Sequence, residues 1–178
     1  DEPLSALDAL ERVRLRQEIR ALQQKVGVTT IMVTHDQEEA LTVADRIVVM
    51  NHGVIEQVGD AITVYREPST PFVADFVGKV NVLPGRIDDG ELSVGQFRLR
   101  TDASTRAARA GEVKVYLRPE DVLARPIGGG APGFAADDPC VFDSIIEKIE
   151  FLGSFCHVHV ASDAIAPHRL TVYLSLNF

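Results

Sequence analysis

The chain opens with eight residues whose order decides the fold: Asp1-Glu2-Pro3-Leu4-Ser5-Ala6-Leu7-Asp8. Because proline disfavours a helical conformation in the residue before it, Glu2 should end a strand and Pro3 should start a turn. Adjacent carboxylates at the end of a strand can hold a divalent cation and orient a water molecule. A solvated acidic segment is the alternative interpretation of the same residues.

A second polar stretch, residues 34–36 (Thr-His-Asp), follows a short run of apolar and β-branched residues at 28–33. This run predicts a buried strand, and residues 7–26 before it predict a helix. Two parallel strands joined by a helix end at the same edge of a sheet, where open α/β sheets bind ligands. We therefore expect Glu2 and His35 to lie in one site.

The predicted helix has an apolar stripe and recognisable ends. Ser5 with Asp8 fits a capping box at its start, and Gly27 is a typical C-terminal stop. The stripe consists of Leu15, Ile19, Leu22 and Val26. Arginines at 12, 14, 16 and 20 spread around the helix and predict a solvated or subunit-facing surface.

Further elements follow at short intervals. Asp36 with Glu39 predicts a second capping box and a helix to about Ala44. The remaining predictions for this region are a strand at 46–50, a hairpin turn at 51–53, a strand at 54–58, helices at 60–66 and 71–77, and a linker near 78–81.

From Val82 onward the apolar pattern changes to a period of two. Alternation is clear at 112–117, 145–150 and 170–176, and these short strands are separated by Gly, Pro and Asp turns. Such a pattern predicts a small β barrel. We expect two domains, residues 1–80 and residues 81–178, the second possibly incomplete at its C-terminus.

Residues 1–8 resemble the end of the Walker B motif and the D-loop of ABC transporter ATPases, and residues 34–40 resemble their switch-histidine region. The resemblance extends more loosely to the end of the chain as the accessory TOBE-type domain of ABC importers. It implies an α/β fold: the C-terminal part of a P-loop NTPase-type ATPase core, followed by a small OB-like β-barrel domain.

The resemblance also implies roles for individual residues in the use of ATP and Mg²⁺. Asp1 would hold Mg²⁺, Glu2 would act on the water that attacks the γ-phosphate, and His35 would contact that phosphate. Ser5 and Asp8 would lie near a twin subunit, because these ATPases work as head-to-tail dimers with ATP between the subunits. Phosphoryl transfer requires mainly positioning and charge neutralisation, which these groups can supply.

No G-x-x-x-x-G-K-[ST] phosphate loop is present in the sequence. Residues 92–96, Leu-Ser-Val-Gly-Gln, imitate the family's L-S-G-G-Q signature, but they lie after Asp1 inside the β region, so a hairpin is the better interpretation. We expect the chain to be the C-terminal part of a longer ATPase and, alone, neither to bind ATP tightly nor to hydrolyse it.

The composition limits the cellular location and the kinds of partner that can be expected. The net charge is −8 with no basic stripe, so a nucleic-acid partner is not expected. No apolar run approaches the ~20 residues of a membrane span. The resemblance implies a peripheral protein at the cytoplasmic face of the inner membrane that pairs with a twin ATPase subunit and with permease subunits, and indirectly with a periplasmic solute-binding protein. Inorganic anion, iron, phosphonate or polyamine systems are favoured over sugars.

Several alternatives remain open at this point. A regulatory module that binds an oxyanion or a protein, without ATPase activity, is one, and a non-catalytic structural subunit is another. Arg118 in the sequence Arg-Pro-Glu could bind an oxyanion or pair locally with Glu120 or Asp121. A metal site is one interpretation of four residues near the end of the chain: Cys156, His157, His159 and His168. The alternative is that they are ordinary alternating residues on a half-exposed strand.

Overall fold

The computed structural model describes residue 4, residues 7–100, 110–125, 127, 134 and 140–175. The chain divides into two units, residues 1–78 and residues 79–178. Each unit is described by itself below.

The first unit begins with helix α1, Ala9–Val26. Its N-cap is Asp8, whose carboxylate accepts hydrogen bonds from the amides of Leu10 and Glu11, and it ends at Gly27 in the left-handed conformation. The predicted extent of the helix is therefore confirmed. The assignment of Ser5 as the cap is wrong, because Asp8 occupies that position.

The apolar stripe of α1 is buried only in part. Leu15 and Ile19 are half-buried, whereas Leu22 and Val26 are exposed. The prediction that four arginines spread around the helix is also wrong, because three of them lie at intervals of four residues on the side that pairs with α2.

The other elements of the first unit agree closely with the predictions. They are α2 (Gln37–Val43), β1 (Ile47–Asn51), β2 (Val54–Gly59), α3 (Ala61–Arg66) and α4 (Pro71–Phe76). Asp36, Asp60 and Thr70 cap the three helices. Their small core consists of Ile47, Val49, Val64, Val73 and Val77.

The predicted buried strand at 28–33 is not formed. The segment has no assigned strand, and the side chains of Val28, Ile31 and Val33 are exposed. In the described part of this unit the sheet is the antiparallel β1–β2 hairpin, so no strand lies beside residues 28–33 to complete their backbone hydrogen bonds. The parallel pairing that was expected to bring Glu2 to His35 is therefore not seen among the described residues.

The second unit consists of two antiparallel sheets. The four-stranded sheet has the order β5-β4-β3-β6, and the three-stranded sheet has the order β7-β8-β9. The strands are β3 (Asn81–Asp88), β4 (Glu91–Val94), β5 (Phe97–Arg100), β6 (Gly111–Leu117), β7 (Ile145–Phe151), β8 (Phe155–Ala161) and β9 (Arg169–Ser175). The two sheets, as far as the chain is described, do not close into a barrel, so the OB-like barrel is not confirmed.

The core of this unit lies mainly on β8 and β9. Leu170 and Val172 are buried as their alternation predicted, and they share the core with Val158 and Val160. The alternation predicted for β7 fails, because the pairing with β8 shifts register between Ile146 and Lys148 and the side chains on both faces of this edge strand are largely exposed.

Candidate functional site

The predicted site residues fall into two groups. Asp1, Glu2 and Ser5 lie outside the described residues, so their convergence with His35 stays a prediction. Asp8 and His35 are described, one at the start of α1 and the other just before α2. The geometry around these two residues is what the structure contributes to the site.

Asp8 is a helix-capping residue. Its Oδ1 accepts hydrogen bonds from the Leu10 amide at 3.0 Å and from the Glu11 amide at 2.9 Å. Helix N-termini carry unpaired amides and a partial positive charge, so a carboxylate here both caps and stabilises α1. The Asp8 side chain is therefore held by the first turn of α1.

His35 is exposed and lies between two residues that are held by hydrogen bonds. The Thr34 hydroxyl accepts a hydrogen bond from the Asp36 amide at 3.0 Å and donates one to Glu39 Oε2 at 2.7 Å. Asp36 Oδ1 in turn accepts bonds from the amides of Glu38 and Glu39 at 2.9 and 3.2 Å. Both neighbours of His35 are therefore fixed to the first turn of α2.

One of the two hydrogen bonds of the predicted capping box is confirmed, because the Glu39 amide donates to the Asp36 side chain. The other is replaced by a longer route. In a capping box the second acid accepts from the amide of the cap residue. Here the Thr34 hydroxyl stands between them, and the Glu39 side chain is almost completely buried. The sequence analysis included both residues, but not the hydrogen bond that joins the Thr34 hydroxyl to Glu39 beside His35.

Three arginines of α1 pair with three acids at α2 and its ends. Arg12 Nη1 contacts Asp36 Oδ2 at 3.1 Å, Arg16 Nη2 contacts Glu38 Oε1 at 2.9 Å, and Arg20 contacts Asp45. Arg16 is buried, and its Nη1 has no hydrogen-bond partner among the described residues. The spacing of positions 12, 16 and 20 places these arginines on one face of the helix, so the sequence contained a signal for this row of ion pairs.

Arg12 also contacts the backbone of the opening stretch. Its Nη2 donates to the carbonyl oxygen of Leu7 at 3.1 Å, while Nη1 donates to Asp36. Burial of Asp36 opposes ionisation, but bonds from the amides of Glu39 and Glu38 and from Arg12 outweigh it and lower the pKa of this carboxyl. Asp36 is therefore ionised at neutral pH and binds both α2 and Arg12.

The histidines of β8 form a separate polar cluster. Lys79 Nζ lies 3.1 Å from His157 Nδ1, and the Thr171 hydroxyl lies 3.1 Å from His159 Nδ1. Burial and the nearby Lys79 ammonium lower the pKa of His157. Glu150 bonds to Lys148, which lowers the pKa of its carboxyl to about 2.

The metal interpretation receives no support from this arrangement. Within the described ranges, no three His, Cys, Asp or Glu side chains are grouped so as to hold a metal ion. Cys156 belongs to the apolar core, and His168 is exposed.

Arg118 is a buried side chain of the second unit, at the start of a short 3₁₀ turn, Pro119–Asp121. Its Nη1 donates to the carbonyl oxygen of Lys79 at 3.0 Å. This contact joins two segments of the unit and was not among the alternatives raised from the sequence. It indicates a structural role.

Comparison with known proteins places these features in a class. The family model of the CysA C-terminal regulatory domain matches residues 81–123. The Fe(3+) ions import ATP-binding protein FbpC 2 of Rhizobium meliloti is 45% identical over 184 residues, which is 99% of this chain and 46% of that protein. The sulfate/thiosulfate import ATP-binding protein CysA 2 of Chromobacterium violaceum is 52% identical over 71% of this chain and 34% of its own length.

A third relative, the spermidine/putrescine import ATP-binding protein PotA of Borrelia garinii subsp. bavariensis, is 47% identical over 73% of the chain. The predicted resemblance is confirmed: the chain is similar to the C-terminal portion of ATP-binding proteins of ABC importers. It spans less than half the length of these relatives.

These relatives are named as ATP-binding proteins. A carboxylate oxygen, as at Asp1, is the kind of hard donor that Mg²⁺ prefers. No helix among the described residues has the length and hydropathy needed to cross a membrane.

Proposed function

We propose that this chain forms part of the ATP-hydrolysing subunit of an ABC importer, which couples ATP binding and hydrolysis to solute uptake through a membrane permease. The observation that supports this most directly is the fixed turn at residues 34–36, which presents His35 next to a helix cap. A side chain that contacts a phosphate must be held by neighbours that do not move, because catalysis here depends on positioning.

The proposed roles follow the chemistry of each group. Asp1 would hold Mg²⁺, which neutralises phosphate charge when bound. Glu2 would orient the attacking water and accept its proton, and His35 would donate a hydrogen bond to the γ-phosphate. Ser5 would face the twin subunit, and Asp8 would act through the shape of the stretch, because its Oδ1 already binds α1.

The proposed assembly is a pair of such subunits beneath the permease, at the cytoplasmic face of the membrane. A periplasmic solute-binding protein would be an indirect partner. Residues 1–80 would form the C-terminal part of the nucleotide-binding domain and residues 81–178 the accessory domain. That the 178-residue chain alone does not hydrolyse ATP stays a prediction, which magnesium-dependent turnover by the purified chain would contradict.

For the solute we propose an inorganic ion. A relative that aligns over nearly the whole chain is named for ferric ions, and the family model in the second unit is that of CysA, a name that the sulfate/thiosulfate relatives share.

The test is solute uptake by the assembled transporter in vesicles loaded with ATP, with ferric iron and sulfate supplied separately. His35→Ala should reduce ATP turnover and uptake about a hundredfold, the lower end of the loss expected for removing one group that stabilises transition-state charge. His52→Asn is the matched control, since His52 lies in the β1–β2 turn with a positive φ that asparagine tolerates. Unchanged uptake in His35→Ala would contradict the proposal.

A purely regulatory module is the second candidate, supported by the description of the matched family as a regulatory domain. The same assay separates the two functions. A subunit with only a regulatory role would keep its basal uptake when His35 is replaced.

A further inference from the structure

Of the three arginines of α1 that face α2, Arg12 is the one for which a hydrogen bond to a backbone carbonyl is described. Arg16 pairs with Glu38, and Arg20 pairs with Gln23 and Asp45, all through side chains. Arg12 binds a side chain and a backbone carbonyl at once, at 3.1 Å each, so its guanidinium joins Leu7 to Asp36. Leu7 belongs to the opening stretch, residues 1–8, and Asp36 belongs to the polar stretch, residues 34–36, that contains His35.

The guanidinium is suited to this bridge by its geometry. Its donors form a rigid planar fork, so one group can bind two acceptors in fixed directions, which a lysine ammonium on a flexible stem does less well. The side chains of Arg12 and Asp36 are only 30% and 25% exposed, so water screens the contact incompletely. The bridge is therefore more than a solvated surface ion pair.

Asp36 passes the constraint on to His35. Its Oδ2 binds Arg12, while its Oδ1 binds the amides of Glu38 and Glu39 at the start of α2. The amide of Asp36 is bonded to the Thr34 hydroxyl across His35. A displacement of the Leu7 carbonyl therefore acts, through Arg12 and Asp36, on the residues that hold His35.

We infer that Arg12 is a positioning residue that couples the opening stretch to the turn that carries His35. This inference rests on the proposed function, in which Ser5 faces the twin subunit and His35 contacts the γ-phosphate. Arg12 then keeps the two in register, so that the position of the twin subunit and the position of His35 depend on each other. Such a coupling is reciprocal, as any linkage between two sites must be.

The test uses the intact subunit assembled with its permease. Arg12→Met removes both hydrogen bonds and keeps an unbranched stem, and Arg20→Met is the matched control because it removes another α1–α2 ion pair away from His35. We expect Arg12→Met to lower kcat about tenfold through misplacement of His35, with KM for ATP changed less than about twofold, whereas Arg20→Met leaves kcat near the wild-type value. Arg12→Lys should restore less than half of the lost kcat, because it keeps the charge but not the fork.

A second measurement does not depend on turnover. Amide hydrogen exchange at Glu38 and Glu39 should be faster in Arg12→Met than in Arg20→Met, because the Asp36 carboxylate that accepts from these amides loses its bond to Arg12. Equal kcat and equal exchange in the two methionine variants would overturn the inference, and so would full rescue by lysine. Normal uptake in His35→Ala would instead contradict the proposed function and leave the exchange result valid.

Discussion

Among the described glycines of the second unit, Gly95 lies closest to a backbone atom of a neighbouring segment. Its φ is +55°, and a Cβ added there would lie 2.3 Å from the carbonyl oxygen of Ala164. The next amide, of Gln96, donates to that same carbonyl at 2.9 Å. A glycine is required at position 95 because the turn after β4 packs directly on the segment between β8 and β9.

This contact accounts for residues 92–96, which imitate an ATPase signature. Glu91–Val94 forms β4, and residues 95 and 96 make the turn to β5. The interpretation of this stretch as a hairpin is confirmed. Glycine and glutamine stand there for reasons of packing and hydrogen bonding within the second unit.

We predict that Gly95→Ala lowers the free energy of unfolding by about 3 kcal/mol, from left-handed backbone strain together with overpacking. Gly53→Ala is the matched control, since φ there is +80° but no atom lies within 4 Å of the added Cβ. The control should cost about 1 kcal/mol. Chemical denaturation monitored by circular dichroism measures both, and equal losses would show that the Ala164 contact is unimportant.

At the scale of elements, three ion pairs join α1 to α2 and the residues at its ends. Arg12, Arg16 and Arg20 supply the cations, and Asp36 supplies both an anion and the cap of α2. Because the pKa of Asp36 is lowered in the folded chain, the unfolded chain binds its proton first as pH falls. The stabilisation from Asp36 is therefore complete above the unfolded pKa, near 4, and is lost as pH decreases through the folded pKa.

We predict that Asp36→Asn flattens the decline of stability between about pH 4 and the folded pKa of Asp36, because asparagine still caps a helix but does not titrate. The measurement is thermal or urea unfolding across this acid range. Asp60 also has a lowered pKa through its bonds with Thr63, so some acid dependence should persist in the variant. An unchanged pH profile in Asp36→Asn would contradict the role given to the cap.

Local signals in the sequence predicted these elements well, and signals that depend on distant partners did not. The C-terminal end of α1 follows from Gly27, and the β1–β2 turn follows from residues 51–53, all of which act within one turn of the chain. The N-cap of α1 was assigned to Ser5 and is Asp8, so the same kind of signal located the start of the helix only approximately. Residues 28–33 have the composition of a buried strand, but a strand requires a neighbour, and none is described beside them. In the same way, a helical wheel does not show which arginine will meet Asp36.

At the scale of the whole molecule, the two units have separate apolar cores. One core is centred on Val64 and Val73, and the other on Val158 and Val172. The similarity to FbpC 2 runs through both units, and the CysA family model begins at residue 81, close to the boundary at 78–79. The part of the site that was predicted from residue chemistry alone, Asp1 and Glu2, lies outside the described residues and needs a functional test.

That test is ATP turnover by the assembled transporter carrying Glu2→Gln. Glutamine keeps the size of the side chain but does not accept a proton, so ATP and Mg²⁺ should still bind while hydrolysis falls at least a hundredfold, within the range for general-base catalysis. Glu11→Gln, on α1, is the control for a change of charge and should leave turnover unchanged. Retention of bound ATP without release of phosphate in Glu2→Gln is the predicted result, and hydrolysis at the wild-type rate would contradict the account.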